Sequence, residues 1–201
     1  MTTKEKILET ALKLFNERGT DQITTRHIAA EMKISHGNLC YHYPKKEEII
    51  KKLYEELVQE LDNEISKVQL NVVSISLLIQ MAEITFGIQL KYKFFLIEIV
   101  KIMRDIPEIK THFRSLYQKR EAQFTFIIEK LISESLFNAS LFEGNYEKII
   151  KQFYLIGDFW ISEAEILFEG SPEEKLRTYV EIATAFFTPY LTQKGRAQLT
   201  G

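Results

Sequence analysis

A chain of 201 residues, 45% hydrophobic and 27% charged, has enough apolar material for one large domain or two small ones and lies far from the polar profile of disordered chains. Its net charge of -2 excludes a polycation that clings to nucleic acid or anionic lipid as a whole, so such a contact must come from a local patch. The single cysteine, Cys40, excludes an internal disulfide and a Cys-x-x-Cys metal or redox site.

The N-terminus turns amphipathic at once, without the apolar region of a signal peptide, and a cytoplasmic protein is the expectation. The longest charge-free stretch, Val68 to Ala82, falls short of the ~18 apolar residues a membrane span needs. Eight glycines and four prolines are too few for many short strands. Most stand where helices would end: Gly19, Gly37, Pro44, Pro107, Gly144, Gly170-Ser171-Pro172 and Pro189. An all-α fold follows.

The first helix opens on a Thr2-x-x-Glu5 capping box, carries Ile7, Leu8, Ala11, Leu12, Leu14 and Phe15 on one face and stops at Gly19. Thr24 caps a short second helix, Thr25 to Met32, and Ser35 caps a third that runs to Tyr41 or Tyr43. Pro44 breaks the pattern, and Lys46-Glu47-Glu48 starts a fourth helix with carboxylates in its first turn. Two short helices joined by about three residues inside a small apolar bundle form a helix-turn-helix.

Residues 4 to 50 resemble the N-terminal DNA-binding domain of the TetR/AcrR family of bacterial transcriptional regulators. The likeness rests on Ile7-Leu8-Glu9-Thr10-Ala11-Leu12-Lys13-Leu14-Phe15, Gly19, Ile23-Thr24-Thr25-Arg26-His27-Ile28-Ala29 and the run Ser35-His36-Gly37-Asn38-Leu39-Cys40-Tyr41-His42-Tyr43-Pro44-Lys45-Lys46-Glu47-Glu48-Ile49. The resemblance implies a three-helix DNA-binding domain over about 1–47 and a helical effector-binding and dimerisation domain over 48–201. A long connecting helix, about 47–68, joins them.

A recognition helix sets hydrogen-bonding side chains against base edges and surrounds them with phosphate holders. His36 and Asn38 stand at the N-terminal end of the third helix, with Gly37 between them to let the backbone come close, and Arg26 is the candidate bidentate reader of guanine. Thr25, Tyr41, His42 and Lys46 are phosphate clamps by resemblance, and each can donate to a phosphate oxygen. Between residues 26 and 46 the cations Arg26, Lys33, Lys45 and Lys46 face Glu31 alone. An ion pair with Glu31 would consume Arg26, although the i, i+5 spacing is poor for one. Tyr43 is the expected core aromatic. Two positions depart from the family pattern: Cys40 replaces a tyrosine that touches the DNA backbone, and Lys45 replaces the serine or asparagine cap of the fourth helix.

The fourth helix carries Ile50, Leu53, Leu57, Leu61, Ile65 and Val68 as a stripe long enough to reach from one domain into the next. Beyond it, helices are expected at about 72–91, 93–104, 107–137, 146–168 and 172–192, the last opening on Ser171-Pro172-Glu173-Glu174. Stretches apolar on more than one side, such as Phe153 to Ile161, need a second partner surface. The resemblance implies a homodimer through residues about 146–192. The remaining apolar surplus would line a cavity for a small, largely apolar effector, with Gln89, Glu98, Arg104, His112, Asp158 and Trp160 as its distinctive groups.

The expected function is a ligand-responsive regulator, a repressor that binds a palindromic operator of double-stranded DNA as a dimer, without cofactor, metal or membrane. The competing expectation is an all-helical small-molecule carrier or enzyme with an incidental helix-turn-helix. Against it, the chain lacks Glu-x-x-His pairs, His-Glu-x-x-His, a Gly-rich phosphate loop and a nucleophile elbow.

Overall fold

The computed structural model describes residues 1–68, 73–139 and 144–199. Residues 69–72, 140–143 and 200–201 lie outside the described set, and with them the first residue of the helix expected at 72–91. Among the described residues the chain is helical throughout, apart from turns and a single antiparallel bridge between Phe137 and Leu191.

The DNA-binding half is set by local signals. Helix α1, Thr3–Gln22, has the reciprocal Thr2–Glu5 capping box and is kinked at Gly19 (φ 74°, ψ 163°), where the sequence places its end. Helix α2, Thr25–Glu31, is capped by Thr24, and His27 completes a second box by accepting from the Thr24 N–H. The turn that follows is a Schellman arrangement: Lys33 takes φ 56°, the Ile34 N–H donates to Ala29 O and the Lys33 N–H to Ala30 O. Helix α3, His36–His42, is capped by Ser35. Helix α4, Lys46–Ser66, starts without a side-chain cap at Lys45, and the first-turn Glu47 and Glu48 favour its positive end instead.

The larger half departs from the expected helices in three places. One helix is expected over 93–104, but the chain forms α6, Lys93–Ile97, and α7, Ile99–Asp105, broken at Glu98. They follow α5, Ile75–Lys91, which Ser74 caps. Helix α8, Pro107–Ser133, ends four residues early because Ser135 turns to φ 57° and folds Leu136 and Phe137 into the core. Helix α9 spans Asn145–Leu167. Helix α10, Pro172–Ala185, stops short of 192 because Pro189 has no N–H to continue it. A 3-10 turn at Thr188–Tyr190 and α11, Gln193–Ala197, complete the chain.

The apolar faces merge into two cores. The first runs from Ile7 and Phe15 of α1 through α4 and α6 to Trp160 and Ala183, so the helix-turn-helix and the larger half share one continuous interior. The second gathers Phe124, Ile127 and Leu131 of α8 with Ile149, Ile150 and Phe187.

Candidate nucleic-acid interface and internal cavity

Helices α2 and α3 present the residues expected to meet DNA on one surface. Arg26, His36, Gly37 and Asn38 are exposed, and Tyr41 is 84% exposed, with its ring edge-on to His42. An exposed tyrosine of that size gains nothing from the fold's own core; Tyr43, by contrast, is buried. Arg26 makes no ion pair among the described residues, because Glu31 reaches Lys13 of α1 instead, at 3.5 Å. The His36 ring is held at both ends of the motif, with Nε2 at 3.0 Å from Thr25 Oγ1 and 3.2 Å from Cys40 Sγ. The cysteine therefore orients a candidate base-reading histidine. At Gly37 a Cβ would meet nothing within 4 Å, so the fold itself does not require glycine there.

Lys46 sits at the edge of this surface and its ammonium is engaged. It donates to the Thr20 carbonyl at 2.5 Å, beside the Gly19 kink. The same threonine gives its N–H to Glu98 Oε1 at 2.7 Å and its hydroxyl to Oε2. Asn16, one turn earlier, donates to Lys91 O at 2.8 Å and accepts from the Phe94 N–H at 3.0 Å. The break at Tyr92 is thus satisfied from α1 by Asn16, while at the second break α1 holds the Glu98 carboxylate. A Cβ on Gly19 would stand 2.8 Å from Glu98 Oε1, and its φ of 74° is strained for any other residue.

A cavity of about 490 Å³ opens between the two cores. Leu61, Asp62 and Ile65 of α4, Phe86 and Gln89 of α5, Arg120 and Phe124 of α8, and Tyr154 and Asp158 of α9 line it. Gln89 and Asp158 lie on this wall as the sequence suggests, and Trp160 stands behind it, stacked on Phe86 at 4.8 Å and donating to Gln89 Oε1 at 2.7 Å. Glu98, Arg104 and His112 do not line it. Glu98 turns to Thr20, Arg104 is exposed beside Asp105, and His112 bonds the Tyr54 hydroxyl at 2.8 Å. Helical spacing identifies these as polar groups but not which side of the bundle they face. The charged wall residues that sequence reasoning misses are Asp62 and Arg120, the arginine donating to the aspartate at 3.2 Å. The signal for Arg120 is an arginine standing in the otherwise apolar stripe Leu116, Phe124, Ile127 and Leu131. Burial pushes the Asp158 carboxyl up to about 6, against the opposing pull of the Arg120 charge.

A third feature is apolar and uncovered. Leu155, Phe159 and Ile166 follow one face of α9, at 62%, 45% and 80% exposure, and Ile182 of α10 is half exposed. Among the described residues no helix is long and apolar enough to cross a membrane, and no cluster of His, Cys, Asp or Glu is placed to hold a metal ion.

Residues 7–53 match the model of the bacterial regulatory proteins of the tetR family, and residues 53–199 match the model described as TetR, bacterial transcriptional repressor. A curated relative, the biofilm operon icaADBC HTH-type negative transcriptional regulator IcaR of Staphylococcus epidermidis, is 42% identical over 52 residues. That match takes in 26% of this chain and spans 28% of the relative's length. A solved TetR-family transcriptional regulator from Marinobacter aquaeolei VT8 aligns over 100% of this chain and 96% of its own, with a TM-score of 0.89 at 24% identity. The ketosteroid transcriptional regulator KstR2 of Mycobacterium tuberculosis aligns over 96% of both chains at a TM-score of 0.73 and 15% identity. The TetR-family regulator PfmR of Thermus thermophilus aligns over 89% of this chain and 97% of its own at 0.68 and 19%. At these identities the solved structures speak for the fold.

Proposed function

The chain belongs to the TetR family of bacterial transcriptional regulators, and from that premise we propose that it is a repressor which binds a palindromic operator as a homodimer and releases it when a small, largely apolar effector enters the cavity. It is a regulator and not an enzyme, so the catalytic alternative falls. The assignment of 1–47 to DNA and 48–201 to effector and partner, and action in the cytoplasm where the DNA lies, belong to the same proposal. The observation that carries it is the course of α4. This single helix begins at Lys46, beside the α3 surface, and its Leu61, Asp62 and Ile65 form part of the cavity wall.

Two further features support the proposal. One short helix reads too few base pairs for useful specificity, and the uncovered Leu155, Phe159, Ile166 and Ile182 offer the apolar seam that pairing α9 and α10 with a second copy would bury. The curated relative's name as a negative regulator favours repression over activation. The test is a titration of DNA flanking the protein's own gene. Binding of a two-fold symmetric site, with half-sites about one helical turn (~34–36 Å) or a multiple apart, is expected. A monomer at micromolar concentration in the ultracentrifuge, or tight binding to an isolated half-site, would refute the dimeric part.

A further inference from the structure

We propose that the cavity between the two cores is shaped for a molecule with an apolar body and one positive charge, and that Asp158 receives that charge. This rests on the assignment of the cavity as the effector site and adds the chemistry of its occupant. The volume, about 490 Å³, suits a drug-sized molecule. Its walls are aromatic on several sides, through Phe86, Phe124, Phe153, Tyr154 and Phe187. Three charged side chains reach them: Asp62, Arg120 and Asp158.

Those three charges are unequal in their obligations. Arg120 and Asp62 are hydrogen-bonded to each other at 3.2 Å as an ion pair. Asp158 makes no hydrogen bond and no ion pair among the described residues and feels Arg120 only as an attraction from a distance, so the lining keeps a net negative charge that centres on Asp158. The same carboxylate also borders a smaller adjoining cavity of about 50 Å³, together with Tyr54, Phe113 and Tyr117, and so stands between the two spaces. A charge partly withdrawn from water is costly when no close partner offsets it, and that withdrawal has raised the proton affinity of the half-buried Asp158. A cavity meant only for hydrocarbon has no use for it. An organic cation would supply the missing partner and lay its charge against ring faces that attract it. An anion would have to displace Asp62 from Arg120 and then sit beside Asp158.

The test uses three probes that differ only in the head group: decyltrimethylammonium, decanol and decanoate. Trp160, the chain's one tryptophan, stacks on the cavity residue Phe86 and reports occupancy by its fluorescence in the full-length protein, without DNA. At pH 7.5 the ammonium should bind roughly tenfold or more tightly than the alcohol, as an answered charge of this depth implies. Asp158→Asn should abolish that preference while holding the alcohol within about twofold, which also certifies the fold. Lowering the pH to 5 should weaken the ammonium as well. The other groups around Asp158 are Arg120 and Tyr117 of α8, Asp62 and Tyr54 of α4 and Tyr154 of α9, with Glu121 of α8 acting on Tyr117 and Tyr154 as well; burial raises the hydroxyls of Tyr54, Tyr117 and Tyr154 above their ordinary value, so they stay protonated over that range.

Equal binding of ammonium and alcohol, tightest binding of decanoate, a preference that survives in Asp158→Asn, or no binding of any probe would each overturn the proposal. Repeating the titration with operator present separates the two levels. A charge-selective site whose occupation leaves DNA bound upholds the cationic chemistry and refutes the effector role.

Discussion

Asp158 should cost the fold stability, and the cost should depend on pH in a defined direction. Its carboxyl is raised from an ordinary 3.8 to about 6. Above pH 6 folded and unfolded chains both carry the charge, and folding must bury it. Below about pH 4 both carry the proton and the cost vanishes. The penalty is therefore fully present above the folded value and disappears as the pH falls towards the unfolded one. Two units at about 1.4 kcal/mol each correspond to about 2–3 kcal/mol. Asp158→Asn should thus stabilise the protein at pH 8 by about that amount, roughly 5–10 °C in melting temperature for a chain of this length. At pH 4.5 the gain should shrink below about 1 kcal/mol. Urea unfolding of both proteins at the two pH values checks this, at one fixed protein concentration because association contributes to stability. Any pH-independent cost of burying an amide cancels in the difference between the two measurements. A gain equal at both pH values, or a loss that deepens at pH 8, would refute the reasoning.

Other substitutions probe the DNA surface and its connection to the cavity. Gly37→Ala should stabilise α3 by roughly 0.5–1 kcal/mol, since a Cβ there meets nothing, yet weaken operator binding; thermal melting beside an operator titration would show the opposite signs. Arg26→Ala should cost roughly 1–3 kcal/mol and relax preference at one base position, whereas Lys46→Ala should weaken all sequences alike and reduce the salt slope by about one unit; binding across a salt series distinguishes them. Glu98→Ala, which strips the partner from the Thr20 N–H and hydroxyl, should reduce the effect of effector on operator affinity from the typical 5–150-fold towards unity, measured as both dissociation constants with and without the other ligand.

What could be read in the sequence is what depends on neighbours along the chain. Thr2, Thr24, Ser35 and Ser171 announce helix starts because a cap and the N–H it satisfies lie three residues apart. The absent cap at Lys45 is legible for the same reason. The breaks at Tyr92 and Glu98 are not, because their partners, Asn16 on the backbone around Tyr92 and Thr20 on the Glu98 carboxylate, lie 75 to 78 residues away. Polarity within a helix likewise says that Glu98, His112 and Asp158 need partners or water, but only the packing decides that Glu98 finds Thr20, His112 finds Tyr54 and Asp158 finds no hydrogen-bond partner among the described residues. The helix ends at Ser133 and Ala185 are hidden for a third reason. Ser135 adopts a left-handed conformation that serine rarely takes, and Pro189 acts four residues upstream of itself.

The cavity and the α2–α3 surface are joined by two elements, and both terminate on Thr20. Helix α4 leaves the cavity wall at Leu61 and ends with the Lys46 ammonium on the Thr20 carbonyl. Helix α5 leaves the same wall at Gln89 and leads through α6 to Glu98, which holds the Thr20 N–H and hydroxyl. Thr20 is buried, and its three polar groups are all committed, one to the first element and two to the second. An effector that parts α4 from α5 pulls these partners in different directions, and a single threonine cannot follow both. One charge-assisted hydrogen bond must then be given up. Such a bond is worth about 1.5–3 kcal/mol, the same size as a typical allosteric coupling of ~1–3 kcal/mol. On the proposed effector role, the coupling would therefore be lodged in short polar contacts at a kink as much as in the stiffness of α4. Removing Glu98 should for that reason uncouple the two sites without hollowing the cavity, as shortening Leu61 would.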